Sequence, residues 1–202
     1  MRRAVHLMCP ALLLLPVSAG AQNCDEPYYR WSAKIDASLA DSSPRTTYVS
    51  SILRQWTPLS LFAGDACGGR QGREVRVYSV AGWVRRVKKH EADKDWHIEI
   101  TGRRDAPADS CIVAEIPLAD QHGQSGNYAE ARRALDSLLA AAPADLSALG
   151  DVTPPVRLRF IGAAFYDGFH HTRAGGAYNH GRCNASALAL WEIHPVYWVR
   201  PP

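Results

Sequence analysis

Two imidazoles and three carboxylates fall at alternate positions of three short apolar segments: His97 and Glu99 in DWHIEITG, Glu115 in CIVAEIP, and Glu192 and His194 in ALALWEIHPVYWV. Imidazole titrates near neutral pH, and carboxylates accept its proton or bind the same cation. Such a cluster can therefore hold a divalent metal, work as an acid/base pair, or satisfy its own members across strands. For a metal the natural set is His97, Glu115 and His194. A second group, Asp167, His170, His171, Tyr178, His180 and Arg182, sits in or beside one Gly-rich loop, FYDGFHHTRAGGAYNHGRCNAS. The chain has no nucleophile elbow, P-loop, H-E-x-x-H or dinucleotide fingerprint, which weighs against the standard enzyme classes.

These residues can meet only if the segments lie side by side. In EVRVYSVAGWVRRV, residues 75, 77, 79, 81 and 83 alternate with 76, 78, 80 and 82, predicting one long strand to about Val87 with a bend or bulge at Gly82. DWHIEITG and CIVAEIP follow as the second and third strands. Asn127 and Glu130 form a capping-box signature before Tyr128, Ala131, Leu135 and Leu138, which recur at helical spacing and predict one amphipathic helix to Pro143. ADLSAL reads as a further short turn of helix. VRLRFIGAAFYDGF and ALALWEIHPVYWV complete five strands.

Strand, strand, strand, helix, strand, strand is the order of the OB-fold, so the expectation is an all-β domain with one helix, a five-stranded OB-like Greek-key barrel, with a β-sandwich as the alternative. In that barrel the third strand lies between the second and fifth. Alternation then sends Trp96, Ile98, Ile100, Ile112, Ala114, Ile116, Trp191 and Ile193 inward, and turns His97, Glu99, Glu115, Glu192 and His194 toward one solvent-facing patch on strands about 4.8 Å apart.

The N-terminal MRRAVHLMCPALLLLPVSAGAQ has a basic end, a short apolar run and small residues before Gln22, the pattern of a signal peptide cleaved near Ala21. The expected organisation is residues 1–21 as leader, 22–73 as an arm packed on the barrel, and 74–202 as the barrel. With Arg2 and Arg3 gone, the 23 Lys and Arg fall to 21 against 20 Asp and Glu, which disfavours a general polyanion binder. Export leaves Cys24, Cys67, Cys111 and Cys183, an even set with three pairings open, of which Cys24–Cys67 and Cys111–Cys183 is the preferred one. The composition, 47% hydrophobic and 21% charged with a mean hydropathy of -0.23, fits a globular domain, and no apolar run is long enough to span a bilayer as a helix. Basic residues and aromatics interleave between Arg70 and Arg104, where Tyr78, Trp83 and Trp96 are expected to turn largely inward. A nucleic-acid or acidic-glycan partner is conceivable there but less favoured than a solvated basic edge.

The blocks RWSAKID, DWHIEI, IVAEIP, FYDGFH and WEIHPV resemble, in this order, a family of uncharacterised exported bacterial proteins with Trp-x-x-Lys, Asp-x-His, Glu-Ile-Pro, Phe-aromatic-Asp-x-x-His and Glu-x-His-Pro-Val blocks. The resemblance implies export and polar positions at Asp95, His97, Glu115, Asp167, His170, Glu192 and His194, and it implies no reaction. The chain departs from the family in the long stretch after His170. The reading that follows is an exported, disulfide-stabilised binding or accessory module. Its alternative is a metal-dependent hydrolase, acting on phosphodiesters for instance, built on the His/Glu cluster with Asp167 or His170.

Overall fold

The computed structural model describes residues 26–118, 126–171 and 180–202. The expected leader, Cys24 and Tyr178 lie outside the described residues. Among those described, the chain forms α1 (Trp31–Lys34), β1 (Arg45–Tyr48), α2 (Val49–Gln55), β2 (Val77–Lys88), β3 (Trp96–Thr101), β4 (Cys111–Ile116), α3 (Gly126–Ala140), β5 (Asp145–Leu146), β6 (Asp151–Tyr166) and β7 (Trp191–Arg200). One seven-stranded mixed sheet runs β1-β2-β3-β4-β7-β6-β5, and β2 also pairs with β6. The pairings therefore return to β2 through β3, β4, β7 and β6. Within this cycle β4 and β7 run parallel and the other neighbours antiparallel.

The expected five strands and single helix are thus seven strands and three helices. The two added strands are β1, which pairs in parallel with β2, and β5, which replaces the helical turn expected at ADLSAL and pairs with β6. The added helices are short pieces of the arm, where polar runs hide the apolar period. Asn127 stands inside the first turn of α3 rather than at its cap.

One core fills the interior. Val80, Val84, Ile98, Ile100, Ile112, Ile116, Phe160 and Ile193 are all fully buried in it, and α3 adds Tyr128, Ala131 and Leu135. Each of the Val, Ile, Leu and Phe side chains contributes roughly 1.5–3 kcal/mol on leaving water. The irregularity in β2 falls between Val84 and Arg86, past Gly82. Gly82 serves packing instead, since a Cβ there would stand 3.2 Å from Ile100 Cβ. Tyr78 turns into the core as expected, whereas Trp83 lies half-exposed under Arg104.

The arm is bolted down by a buried ion pair. The Arg30 guanidinium donates to both carboxylate oxygens of Glu74 at 2.8 Å and to the backbone oxygens of Gly68, Gly69 and Tyr166. From the far side, Tyr128 Oη and Tyr197 Oη donate to the backbone oxygens of Ile35 and Asp36. A disulfide joins Cys111 to Cys183 across 72 residues, tying the loop before β7 to the start of β4. Cys67 is disulfide-bonded as well. No helix of the described residues is long and apolar enough to cross a membrane.

Candidate functional site

Register assembles the site. In the β3–β4 ladder His97 lies opposite Glu115 and Ile98 opposite Ala114, and in the parallel β4–β7 ladder Ala114 meets Ile193. Because side chains alternate, the face opposite this apolar layer carries His97, Glu99, Glu115, Glu192 and His194. The five expected residues do converge. His97 Nδ1 donates to Glu115 Oε1 at 3.0 Å, and His194 Nδ1 stands 3.0 Å from Glu115 Oε2 and 3.1 Å from Glu192 Oε2. Asp95, the residue before β3, lies 3.1 Å from His194 Nε2. Glu192 Oε1 is 2.6 Å from His180 Nε2, while His180 Nδ1 donates to the Ala189 carbonyl at 2.9 Å. Glu99 accepts from Arg182 Nε at 2.6 Å.

The patch does not face solvent. His194 is 0% exposed, Glu99 and Glu192 1%, and His97 and Glu115 7%. Alternation tells which side of a sheet a residue takes and nothing of what lies above it. Here the cover is the arm together with the turn after β6. Phe165, whose register partner on β7 is Glu192, sits on this covered face, and the Arg30, Lys34 and Arg70 cations gather over its ring at 4.8, 5.4 and 6.0 Å. Lys34 Nζ then reaches Asp167 Oδ2 at 3.1 Å.

Burial of so many ionisable groups is tolerable only because opposite charges alternate. Burial works against a charge on His97, but its hydrogen bond to Glu115 and the nearby Glu99 carboxylate lift its pKa to about 9. His194 follows the same logic: burial opposes its charge, and Asp95, Glu115 and Glu192 hold its pKa well above the usual value. Burial pushes Glu115 up, yet His194 and His97 hold it well below the ordinary carboxylate range. Burial likewise opposes the Glu99 carboxylate, and His97 and Arg182 bring its pKa down to about 2. Glu192 is opposed by burial and by neighbouring Glu115, but His180 and His194 bring it to about 2. Lys34 resists burial through Asp167, Glu192 and Glu115, so its pKa is raised, whereas burial depresses that of His170.

A cavity of about 610 Å³ opens against this array. Tyr28, Tyr29 and Phe169 give it aromatic walls; Lys34, His97 and Glu115 line its inner part, and Asp167, His170 and His180 form one side. Glu99, Glu192 and His194 do not line it; they sit behind His97, Glu115 and His180. His171 packs on Phe62, ring centroids 4.7 Å apart, and is not among the lining residues. Arg182 closes on Glu99 and Asp151. Lys34, Tyr28, Tyr29 and Phe169 line the pocket although none is among the residues expected at the site. The buried Lys of the Trp-x-x-Lys block was the available signal.

Of the three residues expected to hold a metal, Glu115 meets both others, but His97 and His194 each aim Nδ1 at it as members of a charge-paired row, and the three do not form a compact donor group among the described residues. Among the described residues, two groups have donor atoms all within 4.8 Å of one another: Asp95, Glu115 and His194, and Asp167, His170 and His180. The basic residues of β2 are engaged locally: Arg85 donates to the Ala106 carbonyl, Arg86 to that of Leu149, and Lys88 pairs with Glu91. Trp96 is flanked by Lys89 and Arg132. A search of protein-family models, curated proteins and solved structures finds no match to the chain.

Proposed function

We propose that this chain is an exported, disulfide-stabilised binding module of the family its polar blocks resemble, built on an OB-like barrel and taking a small polar ligand in the pocket beneath its arm. The barrel reading is supported by the cycle of pairings through β2, β3, β4, β7 and β6, by the parallel β4–β7 pair, and by α3 falling between β4 and β6. Export is supported by the Cys111–Cys183 disulfide.

One observation carries the ligand reading. His97 Nε2 is buried at the cavity wall without a hydrogen-bond partner among the described residues, its nearest carboxylate oxygen, on Glu99, being 3.8 Å away. An unsatisfied buried donor costs about 1–3 kcal/mol, which an acceptor oxygen on a ligand would recover. The ligand therefore carries a carboxylate, phosphate or hydroxyl oxygen, and its ring or carbon skeleton packs on the aromatic walls. The test follows the imidazole NMR signals, in EDTA, during titration with inorganic phosphate, glucuronate and uridine monophosphate. Saturable shifts at His97 that disappear in Ala63→Trp, a blocked mouth, are expected. No saturable shift with any of the three overturns the reading.

The second reading, a metal-dependent hydrolase, is favoured by the two groups of clustered donor atoms beside the cavity. Turnover of bis-p-nitrophenyl phosphate that appears with added Mn²⁺ or Zn²⁺ and is lost in His97→Ala and His194→Ala supports it. Equal rates in the variants count against it.

A further inference from the structure

We infer that the side wall of the pocket is a seat for a divalent transition-metal ion, held by Asp167, His170 and His180 with its open coordination positions turned into the cavity. This rests on reading the pocket as the ligand site, and it adds a resident ion that the pocket reading does not require.

Two imidazoles and one carboxylate on a single wall are a recurrent donor set for first-row divalent ions, and three protein ligands beside a cavity leave room for water or a ligand oxygen. Asp167 Oδ2 and His170 Nε2 stand 3.8 Å apart, beyond hydrogen-bond distance. Donors sharing one ion at bonds of about 2.0–2.2 Å lie roughly 3.3 Å apart, so small side-chain rotations close the set.

The surroundings orient each donor, as outer partners do in metal sites. His180 Nδ1 donates to the Ala189 carbonyl at 2.9 Å, which leaves Nε2 as its metal-binding nitrogen. Asp167 Oδ1 accepts from the Phe169 backbone N–H at 3.0 Å, and the 3₁₀ turn Gly168–His170 brings His170 back over Asp167. Lys34 Nζ stands 3.1 Å from Asp167 Oδ2 and is a cation already on that oxygen. Glu192 Oε1, 2.6 Å from His180 Nε2, supplies a compensating negative charge. When the ion takes Nε2, the proton shared with Glu192 leaves to solvent and Glu192 remains as a further oxygen donor.

The other group, Asp95, Glu115 and His194, is a poorer seat. His194 has Nε2 against Asp95 and Nδ1 against Glu115 and Glu192, and it is wholly buried. Of that group only Glu115 reaches the cavity, so an ion there would be shut off behind it.

The test uses untagged, full-length mature protein stripped with EDTA, then equilibrium dialysis against Zn²⁺ and visible spectroscopy with Co²⁺. One ion per chain is expected, with Co²⁺ bands of a low-coordinate nitrogen and oxygen site. His170 is 30% exposed at its side chain, so His170→Ala should keep the fold, checked by circular dichroism. The affinity should nevertheless fall by about 100-fold or more, at or beyond the upper end of what loss of an outer partner costs. No saturable ion overturns the inference, as does an ion whose affinity is unchanged in His170→Ala and lost in His194→Gln. Either failure leaves the organic-probe titration untouched, because that titration is read in EDTA.

Discussion

Raising the pH should unfold this protein from the site outward. The pKa of His97 is lifted from 6.5 to about 9 in the folded chain, against the opposing effect of burial, by its hydrogen bond to Glu115 and the nearby Glu99 carboxylate. Between those two values the folded chain keeps a proton that the unfolded chain has released, so stability falls as pH rises. The stabilisation is complete below pH 6.5 and lost as pH passes 9. At about 1.4 kcal/mol per pKa unit it amounts to about 3 kcal/mol for His97 alone, a large share of a domain's net stability. His194 and His180 are shifted in the same direction and add to the slope. Glu99 and Glu192, brought to about 2, act oppositely: their contribution is present above pH 4.5 and lost as pH falls toward 2. Stability should therefore peak between about pH 4.5 and 6.5. Urea unfolding in EDTA at pH 5.5, 7, 8 and 9 measures it, with His97→Gln expected to flatten the fall. A midpoint that stays level or rises from pH 6.5 to 9 refutes the charge assignment.

Three further outcomes follow from the packing. Arg30→Met strands the Glu74 carboxylate in the interior and should cost about 3–5 kcal/mol, seen as a lower Tm and faster proteolytic cleavage within the arm. Replacing Cys111 and Cys183 together by Ala opens a closure spanning 72 residues and should cost about 4 kcal/mol by loop entropy, read as a lower denaturant midpoint. Gly162→Ala places a Cβ 2.3 Å from the Pro195 carbonyl oxygen where β6 meets β7, so at least about 1–3 kcal/mol should be lost; an unchanged Tm would show that the strands separate more easily than their contact implies.

Much of the strand framework was legible because period-2 alternation is strong in the segments that became β3, β4 and β7. Ile98, Ala114 and Ile193 could be assigned to the core, and His97, Glu115 and His194 to the other face, from that alone. What alternation cannot encode is a third layer. The arm carries no long periodic segment, so nothing local indicates that Tyr29, Arg30 and Lys34 would be driven onto Phe165 and bury the charged face. That docking depends on Arg30 meeting Glu74, residues 44 apart in the chain. The same limit applies to β1 and β5, whose short lengths leave pairing to tertiary contacts. It applies also to Trp83, which stays partly exposed with the Arg104 guanidinium 5.8 Å from its ring. His180 was named as one polar residue in a loop. Its contact with Glu192 comes from the fold of the turn before β7, held at Cys183 by the disulfide.

The central claim is that acids and imidazoles form one covered, charge-alternating row ending at the pocket. Two-bond ¹⁵N–¹H spectra of the histidine rings at pH 7.5 in EDTA test it most directly. The rings of His97 and His194 should show both nitrogens protonated, with the hydrogen-bonded Nδ1 protons exchanging slowly, while His170 shows a neutral ring. Neutral, freely exchanging rings at His97 and His194, titrating near 6.5, would contradict the row and the site built on it.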